Sequence, residues 1–265
     1  MSAGNSTMQL ETGTGWSRGL KNVLGAEIGS WFGTRQWWVQ ILIWSSIVNF
    51  VLIGVVASGE MTTHGDLFML MNVFMGMATP IGVCIIMQEA IVGEKQSGTA
   101  AWILSKPVSR LGFLVSKLLG NSLGITVNMV LVPALIAYAI ITLATGQAPA
   151  PLAFAAGMGV HLASLFFYVG LTLMLGAISD HRGPVIGLPL AFLFGQNFVG
   201  GLLGPAAGLL PWTLTMPLNN SPEPALASTL MMGLEPASFM NLIVAVTAGV
   251  LFLVVAAWRF ERQEL

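Results

Sequence analysis

The chain has 265 residues, of which 55% are hydrophobic and only 8% are charged. A soluble domain carries roughly 25% charged residues, so this chain lacks the polar surface to face water and belongs in lipid. Its net charge of -1 offers no basic field for nucleic acid, and its single cysteine, Cys84, excludes a disulfide within the chain.

Residues 1–15 are polar, without the basic start and apolar stretch of a signal peptide, and read as a mobile N-terminal tail. In residues 16–36, Trp16, Leu20, Val23, Leu24, Ile28, Trp31 and Phe32 fall on one helical face. Arg18, Lys21 and Asn22 fall on others. Such a stripe predicts an amphipathic interfacial helix in the membrane plane, with Trp37 and Trp38 at the inner headgroup level. Glu27 falls near the middle of the stripe. It pairs with a base or a partner, or else reaches the headgroups.

Uncharged runs then divide the chain. Crossing a hydrocarbon core of about 30 Å takes roughly 20 helical residues. Residues 37–59, 67–88 and 236–258 hold one crossing each. Residues 118–179 hold two, parted by Gly146-Gln147-Ala148-Pro149-Ala150-Pro151, a turn composition. Residues 183–222 begin apolar and then break at Pro205, Pro211 and Pro217. The expected fold is an all-α membrane protein with six transmembrane helices and an N-terminal interfacial amphipathic helix. The transmembrane domain covers 37–258, with spans at about 37–58, 67–90, 118–144, 152–178, 185–204 and 238–258, and 259–265 form a cytoplasmic tail. The outer segment, about 205–237, has Pro222, Pro224 and Pro236 around an apolar stretch at 226–234, which suits a short re-entrant or interfacial helix. Asn219-Asn220-Ser221 matches a glycosylation sequon, a match too short to carry weight.

Orientation follows from the bases. With the N-terminus inside, Arg18, Lys21, Arg35, Lys95, Lys106, Arg110, Lys117, Arg182, Arg259 and Arg262 all fall on one side. The positive-inside rule makes that side the cytoplasm, so the chain is a multi-pass protein of the cell membrane with both termini cytoplasmic.

The most informative segment is residues 88–117. Ser97-Gly98-Thr99 is a helix-start composition, with Ser97 or Thr99 able to cap. A short helix over 99–105 follows, and Pro107 ends it. Ala100, Trp102, Ile103 and Leu104 give this projecting helix an apolar surface, which needs a receptor on another protein.

Here the sequence resembles the membrane subunits of ABC-2-type ABC exporters. The pattern is Glu94-x3-Gly98-Thr99, then Leu104-x2-Pro107-x2-Arg110, then Lys117. The resemblance extends to the interfacial helix, the six spans and the broken outer segment. It implies a permease fold in which the loop docks as a coupling helix on a separate cytoplasmic ATPase. Two permease copies, or one copy and a homologue, would form the pathway. ATP and Mg would be bound by the partner ATPase, with no cofactor in this chain. Glu94, Gly98, Thr99, Trp102, Leu104, Pro107 and Arg110 would serve ATPase coupling. Asp180, His181 and Arg182 in the second loop would be a smaller contact, though a plain helix turn suits them equally.

No Asp, Glu, Lys or Arg is expected in mid-span, which argues against an ion-coupled transporter. Asn121, Asn128, His161 and Asn197 are candidate pathway residues, although interhelical packing explains the amides as well. His161 either lines the pathway or sits at the outer interface. Gly195, Gly200, Gly201 and Gly204 suit close helix approach in a dimer seam. Met69, Met71, Met75 and Met77 suit packing better than metal binding. The cargo expected is hydrophobic or amphipathic.

Two other classes compete. A membrane hydrolase needs a nucleophile with a positioned base, but His64, His161 and His181 are spread over different levels. A non-transporting membrane anchor or assembly subunit fits the composition equally well. No Gly-x4-Gly-Lys-Ser/Thr motif occurs, so the chain is not expected to be catalytic by that route.

Overall fold

The computed structural model of the chain describes residues 15–218 and 224–263. The tail expected over 1–15 lies, except for Gly15, outside the described residues. So do the Asn219-Asn220-Ser221 sequon, Pro222 and the last two residues of the 259–265 tail. In chain order the helices are α1 (Leu20–Phe32), α2 (Gln36–Ser58), α3 (His64–Gln96), α4 (Thr99–Leu104), α5 (Arg110–Thr145), α6 (Pro151–Ile178), α7 (Arg182–Leu203), α8 (Trp212–Thr215), α9 (Leu226–Met231) and α10 (Met240–Glu261). Among the described residues there is no strand. Six helices, α2, α3, α5, α6, α7 and α10, are long and apolar enough to cross a membrane. The fold is all-α with six candidate spans, as the hydropathy pattern predicts.

Local chemistry sets the helix ends. Thr63 is extended, and its Oγ1 accepts the Asp66 amide to open α3. Ser109 does the same for α5, accepting the Gly112 amide at 2.9 Å. Pro151 opens α6, where its missing N–H costs nothing. Gly59 and Gly146 close α2 and α5 in the left-handed region, with φ of 73° and 70°. The Ser109 cap starts α5 at Arg110, about two turns before the long uncharged run that begins at 118. Lys117 therefore lies within a helix rather than in a loop, and it is 2% exposed.

α1 begins at Leu20 because Gly19 takes a left-handed φ of 75°. Trp16 stays outside the helix and 59% exposed. Two π turns interrupt the long helices, at Glu89–Gly93 in α3 and at Thr126–Leu131 in α5. Each inserts a residue into the α ladder and re-aims the remainder of its helix.

α6 is the hub. It packs most extensively on α10 and also meets α3, α7 and α9. α6 and α10 approach tightly at Gly170, where an added Cβ would lie 2.8 Å from the Gly249 carbonyl oxygen. Of the glycines near 200, Gly195, Gly201 and Gly204 have open space where a Cβ would go, while at Gly200 it would meet the Leu218 side chain at 3.0 Å. Gly170→Ala is expected to cost about 1–3 kcal/mol, because the obstacle is backbone that cannot move aside. Thermal unfolding in detergent reads this loss, and an unchanged midpoint would show that α6 and α10 part freely.

The far end is closed by the broken segment after α7. A 3-10 turn at Gly204–Leu209 leads to α8 and then α9. α9 falls within the apolar stretch 226–234. It packs on α6, with Leu226, Ala227, Ser228 and Met231 buried. Gln196 locks the segment from inside: its Nε2 donates to the Tyr168 hydroxyl and its Oε1 accepts the Trp212 amide, both at 2.9 Å.

Candidate functional site

The short helix α4 stands between α3 and α5 at the end of the bundle that carries the basic residues. Gly98 precedes it with φ 75°, so a left-handed glycine, not a Ser or Thr cap, sets its start. Ser97 assists: its Oγ lies 2.9 Å from Thr99 Oγ1. Ala100 is buried and turns one face of α4 inward. On the other face Trp102 is 62% exposed, with the Lys106 ammonium 3.2 Å from its ring centroid. Gly98, Ala101, Ser105, Lys106 and Pro107 are also exposed, while Thr99 and Leu104 are half-buried.

The base beneath α4 is tied down by charge. Lys117 Nζ reaches Glu27 of α1 at 2.5 Å and also pairs with Glu94 of α3. This resolves the position of Glu27 in its apolar stripe: it faces a base. Asn121 joins in, donating from Nδ2 to Glu27 Oε2 at 3.3 Å and accepting from Trp31 Nε1 at 3.1 Å. Glu27 and Trp31 thus lie against α5, over Gly120 and Gly124. The Ser109 amide donates to the Arg18 carbonyl at 3.0 Å, and the Ser109 hydroxyl bonds the Trp16 carbonyl.

The second loop, at 179–181, meets the first. Lys95 pairs with Asp180 at 3.1 Å, Gln96 Nε2 donates to the Asp180 carbonyl at 2.9 Å, and Arg182 pairs with Glu89 at 3.1 Å. The Lys95 ammonium holds the Asp180 carboxyl below the usual carboxylate range, aided by Gln263. That tie is therefore complete above this range and is released only as pH falls through the lowered value. The chain end completes the surface. Arg110 donates to the Glu261 carbonyl at 2.9 Å and to that of Gln263, and Gln263 Nε2 donates to Asp180 at 3.1 Å.

The candidate coupling residues thus divide by position. Gly98, Thr99, Trp102, Leu104 and Pro107 belong to the projecting helix and its flanks. Glu94 and Arg110 turn inward and hold other elements in place. Asp180, His181 and Arg182 are exposed on the same surface. Glu89, Lys95 and Gln96 also bear on the site, and the motif does not include them. Their only signal is the density of charge at 89–96, which reads in sequence as ordinary solvated polarity.

The four pathway candidates do not form one site. Asn121 belongs to the Lys117 cluster. Asn128 is fully buried in the π turn of α5, and neither of its amide atoms has a hydrogen-bond partner. His161 is 2% exposed and so lies inside the bundle. Its Nε2 lies 2.7 Å from Asn72 Oδ1, and Asn72 Nδ2 donates to Ser228 Oγ of α9 at 2.8 Å. Asn197 is half-buried, with Oδ1 unpartnered. Met71 and Met75 are fully buried core residues. Among the described residues, no group of three or more His, Cys, Asp or Glu is placed to hold a metal ion.

Six apolar helices with a short helix held at their charged end define a multi-pass membrane protein. Residues 32–265 match the family described as ABC-2 family transporter protein. The chain belongs to that family: it is a multi-pass membrane permease of an ABC transporter, the component that associates with ABC ATPase partners. No curated protein matches the chain.

Proposed function

We propose that the chain is the permease subunit of an ATP-driven exporter, coupled to separate ATPase subunits through α4. The observation that carries this reading is the pairing of an exposed Trp102 with a base braced by three ion pairs. A lever needs both: an apolar anchor for its receptor and a root that does not yield. On this reading two copies, or one copy and a homologue, form the pathway, and the open glycine face of α7 supports such a seam. ATP and Mg belong to the partner ATPase, and this chain is not itself catalytic. The concentration of basic residues at the α4 end supports placing that end, and both termini, in the cytoplasm.

Copurification with the proteins encoded beside it, followed by an ATP-hydrolysis assay, tests the coupling. A stable complex with hydrolysis is expected. Copurification with other membrane proteins and no ATPase would favour an anchor or assembly subunit instead. Orientation is read by cysteine labelling in intact cells. Thr62→Cys is expected to react with an impermeant reagent and Lys106→Cys only after permeabilisation. Cys84 is fully buried and contributes little background. The reverse pattern would invert the topology.

A further inference from the structure

A charged cleft at the basic end lies beside the docking helix without being part of its exposed face. It runs between α1, α3 and α5 and has a volume of about 890 Å³, with Glu27, Trp31, Gln88, Glu89, Glu94 and Lys117 in its lining. Its charges do not cancel. Glu27 and Glu94 share the single ammonium of Lys117, and Glu89 is matched by Arg182. One formal negative charge is left over. Its hydrogen bonds do not close either. Gln88 is only 7% exposed, and its Nε2 donates to Glu89 Oε2 at 3.2 Å. Its Oε1 has no partner, nor does Glu94 Oε2. Buried acceptors without donors are rare in native structures.

We propose that this cleft binds the headgroup of an aminophospholipid, with the ammonium toward Glu94 and Gln88 and the phosphate toward Arg182. A primary ammonium brings three donors and one positive charge, which are the two things the cleft lacks. Arg182 is half exposed and lies in the lining, a suitable place for a phosphate. Trp37 and Ile85 also line the cleft, and Ile85 is 51% exposed. They give the glycerol and first methylenes an apolar wall at the depth where tryptophan favours the interface. A quaternary ammonium has no N–H to give and would leave both oxygens unpaired. An anionic headgroup would meet the uncompensated carboxylate. The assignment needs only that the basic end lie at a membrane surface, which either orientation of the chain satisfies, so it stands or falls apart from ATPase docking.

Native mass spectrometry of the full chain, incubated in micelles with equimolar dioleoyl-phosphatidylethanolamine, -phosphatidylcholine and -phosphatidylglycerol, tests the proposal. Phosphatidylethanolamine is expected to be retained about tenfold over the others, the size of one charge-assisted hydrogen bond. Retention should fall stepwise as the amine is methylated. Gln88→Leu should erase most of the preference. If that variant fails to fold, the methylation series on the unaltered chain decides alone. Equal retention of the three lipids, or full preference in a folded Gln88→Leu, would overturn the proposal. Stronger retention of dodecylamine than of phosphatidylethanolamine would overturn the lipid assignment in favour of a single-chain amine.

Discussion

Lys117→Met is expected to destabilise the chain by about 3–5 kcal/mol, the loss seen when one partner of a buried ion pair is removed. The Lys117 side chain is 3% exposed, and it answers Glu27 at 16% and Glu94 at 22%. Removing the ammonium leaves two largely buried carboxylates near each other, with Asn121 Nδ2 the remaining donor to Glu27 Oε2. Desolvation then has nothing to offset it. The cluster also joins three elements, so α1 should lose its seat on α5. Thermal unfolding in detergent, with protease sensitivity of the first 35 residues, reads both effects. Adding Glu27→Gln and Glu94→Gln should recover most of the loss, because neutral amides carry no stranded charge. A Lys117→Met protein as stable as the parent would mean that water reaches the cluster freely.

Trp102→Glu is expected to leave the fold intact and to weaken ATPase binding by about 30-fold or more, the range for an aromatic anchor worth about 2 kcal/mol or more. The two readouts separate because Trp102 is 62% exposed and only its α4 neighbours lie on the buried side. The new carboxylate would sit beside Lys106 and place charge where the receptor needs an apolar ring. Gly98→Pro should act on the same interface by another route. Proline fixes φ near −65°, whereas Gly98 requires 75°, so α4 would leave its present angle. If both variants bound and stimulated the ATPase like the parent, α4 would not be the coupling element.

Much of the architecture is legible in sequence for one reason: the bilayer imposes a length, and charges mark where each span must stop. The same rule misplaces Lys117. Treating every charge as a boundary starts the third span at 118, while the Ser109 cap starts the helix at Arg110 and carries the lysine into the interior. The partner that makes this tolerable, Glu27, lies 90 residues away in sequence, and no local pattern joins the two. Glycine count likewise shows that helices approach closely but not where. Gly170 and Gly249 are ordinary positions until α6 and α10 are seen to cross there. The π turns at Glu89–Gly93 and Thr126–Leu131 are invisible to periodicity, because a single inserted residue shifts the helical phase too little to stand out. α4 is legible because Gly98 and Pro107 punctuate it on both sides.

The two ends of the bundle are held by different chemistry. At the α4 end the ties are ionic, and two of them are partly or largely exposed: Arg182 with Glu89, and Lys95 with Asp180. At the opposite end the ties run through amide, imidazole and hydroxyl groups of Asn72, His161, Ser228, Gln196 and Tyr168. Exposed ion pairs weaken as salt rises and the Debye length falls from about 8 Å at physiological strength to about 3 Å at 1 M, while the second kind is left nearly untouched. Ionic strength is therefore a selective solvent for this molecule. High salt is expected to loosen the contacts between the two loops at the α4 end while the ties at the opposite end hold.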